Sequence, residues 1–323
     1  MKTSGIGGQA VIEGIMMKNR EEYAVAVRKP DGEIEVEKST YKSFASGKKV
    51  LSLPIIRGVF NFVDSMILGM KTLTLSASFI EEEEEAKPSK SENFFDKIFK
   101  GKAEEIFTGL IMIISLIIAL GLFMILPLFI ANILRKYVSA GILAVLEGCI
   151  RLGLFIGYVL LISRMEDIKR TFMYHGAEHK CINCIEHGLD LTVDNVRSSS
   201  KQHKRCGTSF MFYVMFISII FFIFIRVDGM WLRVLSRILL IPVIAGISYE
   251  IIRMAGSSDA FLVNLLSKPG MWLQNLTTTE PDDSMIEVAI QAVEAVFDWK
   301  EYQKENFPKE AAVRKLKEAD ASL

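Results

Sequence analysis

The spacing of apolar residues changes several times along this chain, and each change marks an element. Residues 23–28 alternate, with Tyr23, Val25 and Val27 set against Ala24, Ala26 and Arg28; Pro-Asp-Gly then interrupts, and Ile34 and Val36 alternate with glutamates. Period two on both sides of Asp31-Gly32 predicts a β-hairpin, inside a small β-rich unit covering residues 1–50. Gly7-Gly8-Gln9 reads as a tight turn, since no lysine follows at phosphate-loop spacing. From Pro54 the spacing is helical. Ile55, Ile56, Val59, Phe60, Val63, Met66, Ile67, Met70 and Leu73 share one face, and Arg57, Asn61, Asp64, Ser65 and Lys71 form a polar stripe. Residues 54–80 are therefore an amphipathic helix that packs on a membrane domain or lies at its interface. The run Glu81 to Glu85 and the AKPSKSEN after it predict a solvated linker, 81–103.

Beyond the linker the pattern gives way to nearly unbroken apolar runs at 106–134, 140–163, 208–225 and 230–252. Each approaches or exceeds the roughly 20 residues that span a bilayer, and Pro127 offers a kink in the first. The second run carries Glu147 and Arg151, the fourth Arg233 and Arg237. Glu147 and Arg151 are four apart on one helix, and Arg237 falls at similar depth. They form either a structural ion pair between the second and fourth spans or part of a transport pathway. The segment between spans two and three, residues 164–207, holds Arg164, Lys169, Arg170, Lys180, Arg197, Lys201, Lys204 and Arg205. The positive-inside rule then places that loop and both termini in the cytoplasm. The expected fold is a mainly α membrane protein: four transmembrane helices, a small β-rich N-terminal cytoplasmic unit, and interfacial or cytoplasmic helices. The last of these fill residues 253–323, where Ser284-Met-Ile-Glu287 predicts a capping box.

Composition sharpens this. Of 323 residues 50% are hydrophobic although 24% are charged, which requires apolar residues to be segregated into blocks. With 38 basic and 38 acidic side chains there is no general basic field, which argues against nucleic acid as a partner. Four cysteines in so long a chain do not make a disulfide scaffold, and a cytoplasmic loop keeps them as thiols.

Candidate chemistry concentrates in one place: all four histidines and three of the four cysteines lie between His175 and Cys206. On a helix ending at Gly188, His175 and His179 are one turn apart, about 40° from each other, with Glu186 about 20° from His175 and Glu178 flanking. Cys181 and Cys184 point to the opposite side, as packing residues, and Cys149 also reads as packing. His187 reads as a cation at the helix C-terminus. His-x-x-Glu-His is the inverted zincin order, in which both histidines hold a divalent metal, zinc first among the choices, and the glutamate serves as base. Glu178 could equally be a partner outside the ligand set. Further ligands could come from His203 and Cys206, at the entry to span three, or from Glu250 near the inner end of span four, which could instead pair with Arg253 or Arg170. With His175, His179, Glu250 and water the site is open and catalytic; with His203 or Cys206 in place of water it is closed and structural.

Several motifs together carry a family resemblance: Gly7 to Gly14 (GGQAVIEG) with Met16-Met17, Arg57-Gly58, Tyr174 to Lys180 (YHGAEHK), His203 with Arg205 to Phe210 (RCGTSF), and Ser248-Tyr249-Glu250 with Arg253. Over nearly its whole length the chain resembles the YqhQ family, bacterial membrane proteins of unknown function, some labelled predicted metal-dependent enzymes. Lys204 stands where that family's loop has proline. The resemblance implies a multi-pass protein of the bacterial plasma membrane and brings Gln9 and Glu13 of the N-terminal unit toward the histidine site. Two expectations follow. One is a zinc-dependent membrane hydrolase acting at the cytoplasmic face on a lipid-linked or membrane-peptide substrate. The other is a non-catalytic scaffold or ion-handling protein with a structural polar or metal cluster.

Overall fold

Four antiparallel strands open the chain in simple meander order: β1 Gly7–Val11, β2 Gly14–Asn19, β3 Glu22–Arg28 and β4 Ile34–Thr40. The computed structural model describes residues 2–81, 103–225, 227, 229–258 and 260–308. Nearly all of the expected linker, and residues 309–323, lie outside them. The hairpin around Asp31-Gly32 pairs Arg28 with Ile34, and Gly32 takes the positive φ of 89° that its turn needs. Gly7-Gly8-Gln9, expected as a turn, is instead strand β1, with Gly8 opposite Met17. Gly8 there serves close approach, not a change of direction.

The sheet is buried on both faces, which is why β3 shows five consecutive buried residues, Tyr23 to Val27. One face (Val11, Met16, Tyr23, Val25, Val27) packs on Leu68 of helix α1, Ile56–Glu81. The helix begins two residues later than the periodicity suggests, because Ile55 has a φ of 70°. Asp64, from its polar stripe, is buried and accepts hydrogen bonds from Tyr41 Oη at 2.9 Å and Ser43 Oγ at 2.5 Å.

Four helices among the described residues are long and apolar enough to cross a membrane: 109–133, 140–162, 207–224 and 230–257. The first comprises α2, Ala103–Leu120, a π-helical turn at Gly121–Ile125, and α3, Leu126–Ile133. Pro127 has no N–H, and in a regular helix its ring would meet the carbonyl of Phe123; the wider turn absorbs that conflict. The second is α4, Ala140–Ile162. Helices α5, Glu166–Glu186, and α6, Val193–Ser198, follow, then α7, Gly207–Phe224, and α8, Met230–Ser257, the third and fourth long apolar helices. The chain continues through α9, Phe261–Gln274, α10, Asp283–Val296, and α11, Trp299–Asn306. The expected capping box is displaced: Asp282, not Ser284, caps α10, accepting the Met285 N–H at 3.0 Å.

The chain divides into two compact units, residues 1–80 with 159–214 and 239–323, and residues 81–158 with 215–238. In the first, the second sheet face (Ile15, Met17, Ala24, Ala26) shares a core with α5 and α10; Ala177, Cys181, Ile182, Cys184 and Ile185 come from the former and Met285 to Val293 from the latter. From Tyr174 to Glu186 every α5 residue except His175 is buried. A Schellman motif stops the helix: Gly188, at φ 76°, donates to Ile185 O and Leu189 donates to Cys184 O.

In the second unit Glu147 accepts from Arg151 Nη2 at 3.0 Å and from Arg237 Nη2, and Arg151 Nη1 reaches Ser218 Oγ at 2.5 Å. Both guanidiniums stand over the Phe222 ring, 5.3 and 4.5 Å from its centroid. One buried carboxylate thus balances two buried cations. Glu147→Ala leaves both uncompensated and is expected to cost about 3–5 kcal/mol, read as a lowered unfolding midpoint of the detergent-solubilised protein; an unchanged midpoint would refute the structural role.

Candidate metal centre

Helix α5 positions the first two candidate ligands. His175 and His179, one turn apart, bring their rings to 4.4 Å between centroids. Each Nδ1 faces a backbone carbonyl, His175 that of Thr277 at 3.0 Å and His179 that of Lys201 at 2.6 Å. A carbonyl only accepts, so both Nδ1 atoms carry the proton and both Nε2 atoms present lone pairs. This is the outer arrangement that metal-ligating histidines adopt. Cys206, just before α7, offers a third candidate atom: its Sγ lies 3.3 Å from His175 Nε2 and accepts the Thr208 N–H at 3.4 Å. The three ligand atoms all lie within 4.8 Å of one another, the one such group among the described residues. In a tetrahedral site with bonds of about 2.0–2.3 Å, ligand atoms stand roughly 3.5 Å apart, so small adjustments would close this set around one ion.

Two straps bring these carbonyls into place. The loop after α6 is held on α5 by Lys180, which donates to Arg197 O and Ser199 O at 2.8 Å each, and by Asn183, which donates to Ser200 O at 2.6 Å and Gln202 O at 2.9 Å. The segment after α9 crosses α5 at Gly176, with the Thr279 N–H on Phe172 O at 2.9 Å. A Cβ on Gly176 would fall 2.1 Å from Thr279 O. Gln274, fully buried, accepts the His203 N–H at 2.9 Å and donates to its carbonyl at 2.7 Å. None of Lys180, Asn183, Thr277 or Gln274 stands out in the sequence by chemistry; a glycine in mid-helix beside His175 was the available sign of close backbone approach.

Glu178 lies beside the trio and outside it. Its Oε1 accepts the Gly8 N–H at 3.1 Å, and its Oε2 is 4.0 Å from His175 Nε2. A Cβ on Gly8 would be 2.9 Å from Glu178 Cγ, so only glycine lets the strand come this near. Burial pushes the Glu178 carboxyl up from its ordinary range, against opposing pulls from His175, the Gly8 amide and Arg205. A cavity of about 100 Å³ is lined by Gly8, His175, Glu178, His179, His203 and Cys206 among others, room for a few waters or a small polar group.

The other expected ligands are placed differently. His203 lines the cavity, but its Nε2 is 3.6 Å from Glu186 Oε2. Burial holds this imidazole down to about 4, so it is neutral at pH 7. Burial alone would raise the Glu186 carboxyl, but His203, Arg205 at 2.5 Å and the Ser4 N–H at 2.7 Å outweigh it and hold it at about 2. Glu250 lies outside the trio because Arg57 grips both its oxygens, at 2.7 and 2.5 Å. Glu13, in the left-handed region at φ 49°, is held by Arg170 and by Tyr174 Oη at 3.4 Å, and the Gln9 side chain lies near Gly69 of α1. The N-terminal unit therefore meets the site through the Gly8 amide, with Ile6 and Gly7 also lining the cavity, and not through Gln9 or Glu13. Cys181 and Cys184 lie in the apolar core, and His187 Nδ1 is 2.7 Å from Asn183 O.

Residues 53–299 match the family model described as Protein of unknown function (DUF1385). The chain belongs to that family. It is 36% identical over 290 residues, 88% of this chain and 90% of the relative, to "Uncharacterized protein YqhQ" of Bacillus subtilis (strain 168). No solved structure matches. The span shared with DUF1385 contains the trio, Glu178 and both straps, whereas Gly8 lies before it.

Gly176→Ala is expected to destabilise the protein by about 1–3 kcal/mol through overpacking against Thr279, measured by thermal or urea unfolding; a wild-type midpoint would mean the strap yields freely. Acid should loosen the His203–Glu186 corner in two stages. Both groups have folded values below their ordinary ones, 6.5 and 4.5, so their stabilisation is complete above those values. It declines from pH 6.5 toward 4 as the unfolded chain takes the histidine proton, and from 4.5 toward 2 for the carboxyl. Glu186→Gln should flatten the lower part of the midpoint-versus-pH curve; a curve of unchanged slope would contradict this.

Proposed function

We propose that this DUF1385 protein is a multi-pass membrane hydrolase that depends on a divalent metal, zinc first. His175, His179 and Cys206 hold the ion, and Glu178 acts as the general base. What carries the reading is the pairing of two Nε2 lone pairs with one Sγ inside a cavity that also contains a buried carboxylate. Three protein ligands leave a tetrahedral ion one open position, the pattern of catalytic and not structural sites. The donor set of two imidazoles and a thiolate suits zinc over magnesium or calcium. Such an ion, when bound, supplies Lewis acidity and lowers the pKa of water. The chain's own residues do the rest. The carbonyls of Thr277 and Lys201 keep the imidazoles in the ligating tautomer, and the Gly8 amide aims the second carboxylate oxygen of Glu178 at the cavity. Raised above its ordinary range, that carboxyl is placed to take and return a proton.

The long apolar helices and the basic 164–207 segment support a plasma-membrane protein with both termini and the site on the cytoplasmic side. A lipid-linked or membrane-peptide substrate suits that location. His203 and Glu250, expected as ligands, have no part in this proposal. The rival is a closed structural site, favoured by the 4.0 Å between Glu178 Oε2 and His175 Nε2, from which the carboxylate could become a fourth ligand.

Elemental analysis of the purified protein is expected to find about one zinc per chain, lost in His175→Ala and Cys206→Ala and retained in Glu178→Gln. X-ray absorption should show two nitrogens, one sulfur and a light solvent atom. Loss of the metal in Glu178→Gln would establish the closed site, and metal-free wild-type protein would end the metal reading altogether.

A further inference from the structure

Helix α9 leaves a broad apolar face uncovered. Phe261, Leu262 and Trp272 are 82, 63 and 62% exposed, and Leu265 and Leu266 are exposed beside them. At about 100° per residue these side chains, with Pro269 between them, occupy one face. The opposite face, which carries polar residues beside Val263 and Met271, faces protein, and Leu273 is buried at its edge. Ser267, Gly270 and Gln274 are buried, Asn264 accepts from Lys204 Nζ at 2.7 Å, and Gln274 Nε2 donates to Ser209 Oγ at 2.8 Å. Tyr213 Oη reaches the Leu266 carbonyl at 3.3 Å, and a Cβ on Gly270 would be 2.9 Å from Ser209 Oγ. In water a surface helix turns its apolar stripe inward; here the apolar stripe is the one left uncovered.

The geometry points to the hydrocarbon edge of a lipid bilayer as what covers it. α9 starts within four residues of the end of α8, one of the four helices apolar enough to cross a membrane. Its 14 residues make about 21 Å, short of the roughly 30 Å hydrocarbon core. It therefore does not cross but lies along one leaflet, with Lys268 at the margin of the apolar face. The inference rests on the membrane reading above and adds a further membrane-contacting element with a specific task. The polar side of α9 holds the His203 backbone through Gln274, and three residues after its last turn Thr277 presents the carbonyl that orients His175. The histidine site is thereby held at headgroup depth, where the scissile part of an amphiphilic substrate lies while its apolar part stays in the leaflet.

The test uses the full chain in phosphatidylcholine–phosphatidylglycerol vesicles, taking the fluorescence difference between wild type and Trp272→Phe as the Trp272 signal. The expected result is strong loss of that signal with lipids brominated near the headgroup end of the acyl chains, weaker loss with bromine at the methyl end, and little loss with aqueous iodide. Quenching by iodide, by the deepest bromines most, or by neither agent (a face covered by protein) would each overturn the inference. The readout is independent of metal. A chain retained in vesicles through an alkaline wash but iodide-accessible at Trp272 loses this inference alone; a chain extracted by that wash loses the membrane reading too.

Discussion

Two peptide carbonyls, those of Lys201 and Thr277, decide which nitrogen each histidine of α5 turns inward. A pair of imidazoles one turn apart is common on helices and has no fixed chemistry, because each ring has two tautomers and can rotate. Once both Nδ1 protons are committed to backbone oxygen, both Nε2 atoms are committed to the cavity. The rest of the first unit serves that commitment. The sheet and α10 bury the remainder of α5 so that it cannot roll, Lys180 and Asn183 lash one carbonyl-bearing loop to it, and Gly176 lets the other strap lie flush against its backbone.

Much of this was legible in the sequence, for reasons of period. The β3–β4 hairpin, the helix α1 (though not its buried side, where Asp64, Thr72 and Ser76 lie while Val63, Met66 and Ile67 are exposed), the four long apolar helices and the histidine-bearing α5 all follow from spacing that one element imposes on its own residues. Likewise the opposed directions of the histidines and of Cys181 and Cys184 follow from 3.6 residues per turn. Partners far apart in sequence were not legible. His203, Cys206 and Glu250 all stood as candidates, with Glu250 in the open site and His203 or Cys206 closing it, because no periodicity links residue 175 to residue 206 or 250. Glu250 is claimed by Arg57, 193 positions away, and His203 by Glu186. The strand at Gly7–Val11 was hidden because its glycines resemble a turn; at Gly8 the reason is the close approach of Met16, Met17 and Glu178.

The second unit obeys a different constraint. Its helices expose apolar residues freely, yet Glu147, Arg151 and Arg237 are buried among them. In a hydrophobic setting such groups persist only in company, and a single carboxylate shared by two guanidiniums over one aromatic ring supplies it. The cluster sets the register of the α4, α7 and α8 segments within that unit, a task apolar packing alone performs with less selectivity.

The edge strand β1 spends its outward Gly8 N–H on Glu178, and Ser4 spends its own on Glu186. Ser4 and Gly8 are therefore tied to a helix made 182 and 170 positions later. Displacing either backbone amide would withdraw a partner from a buried carboxylate of α5, so a change at this sheet edge is felt inside the helix and not only at the surface.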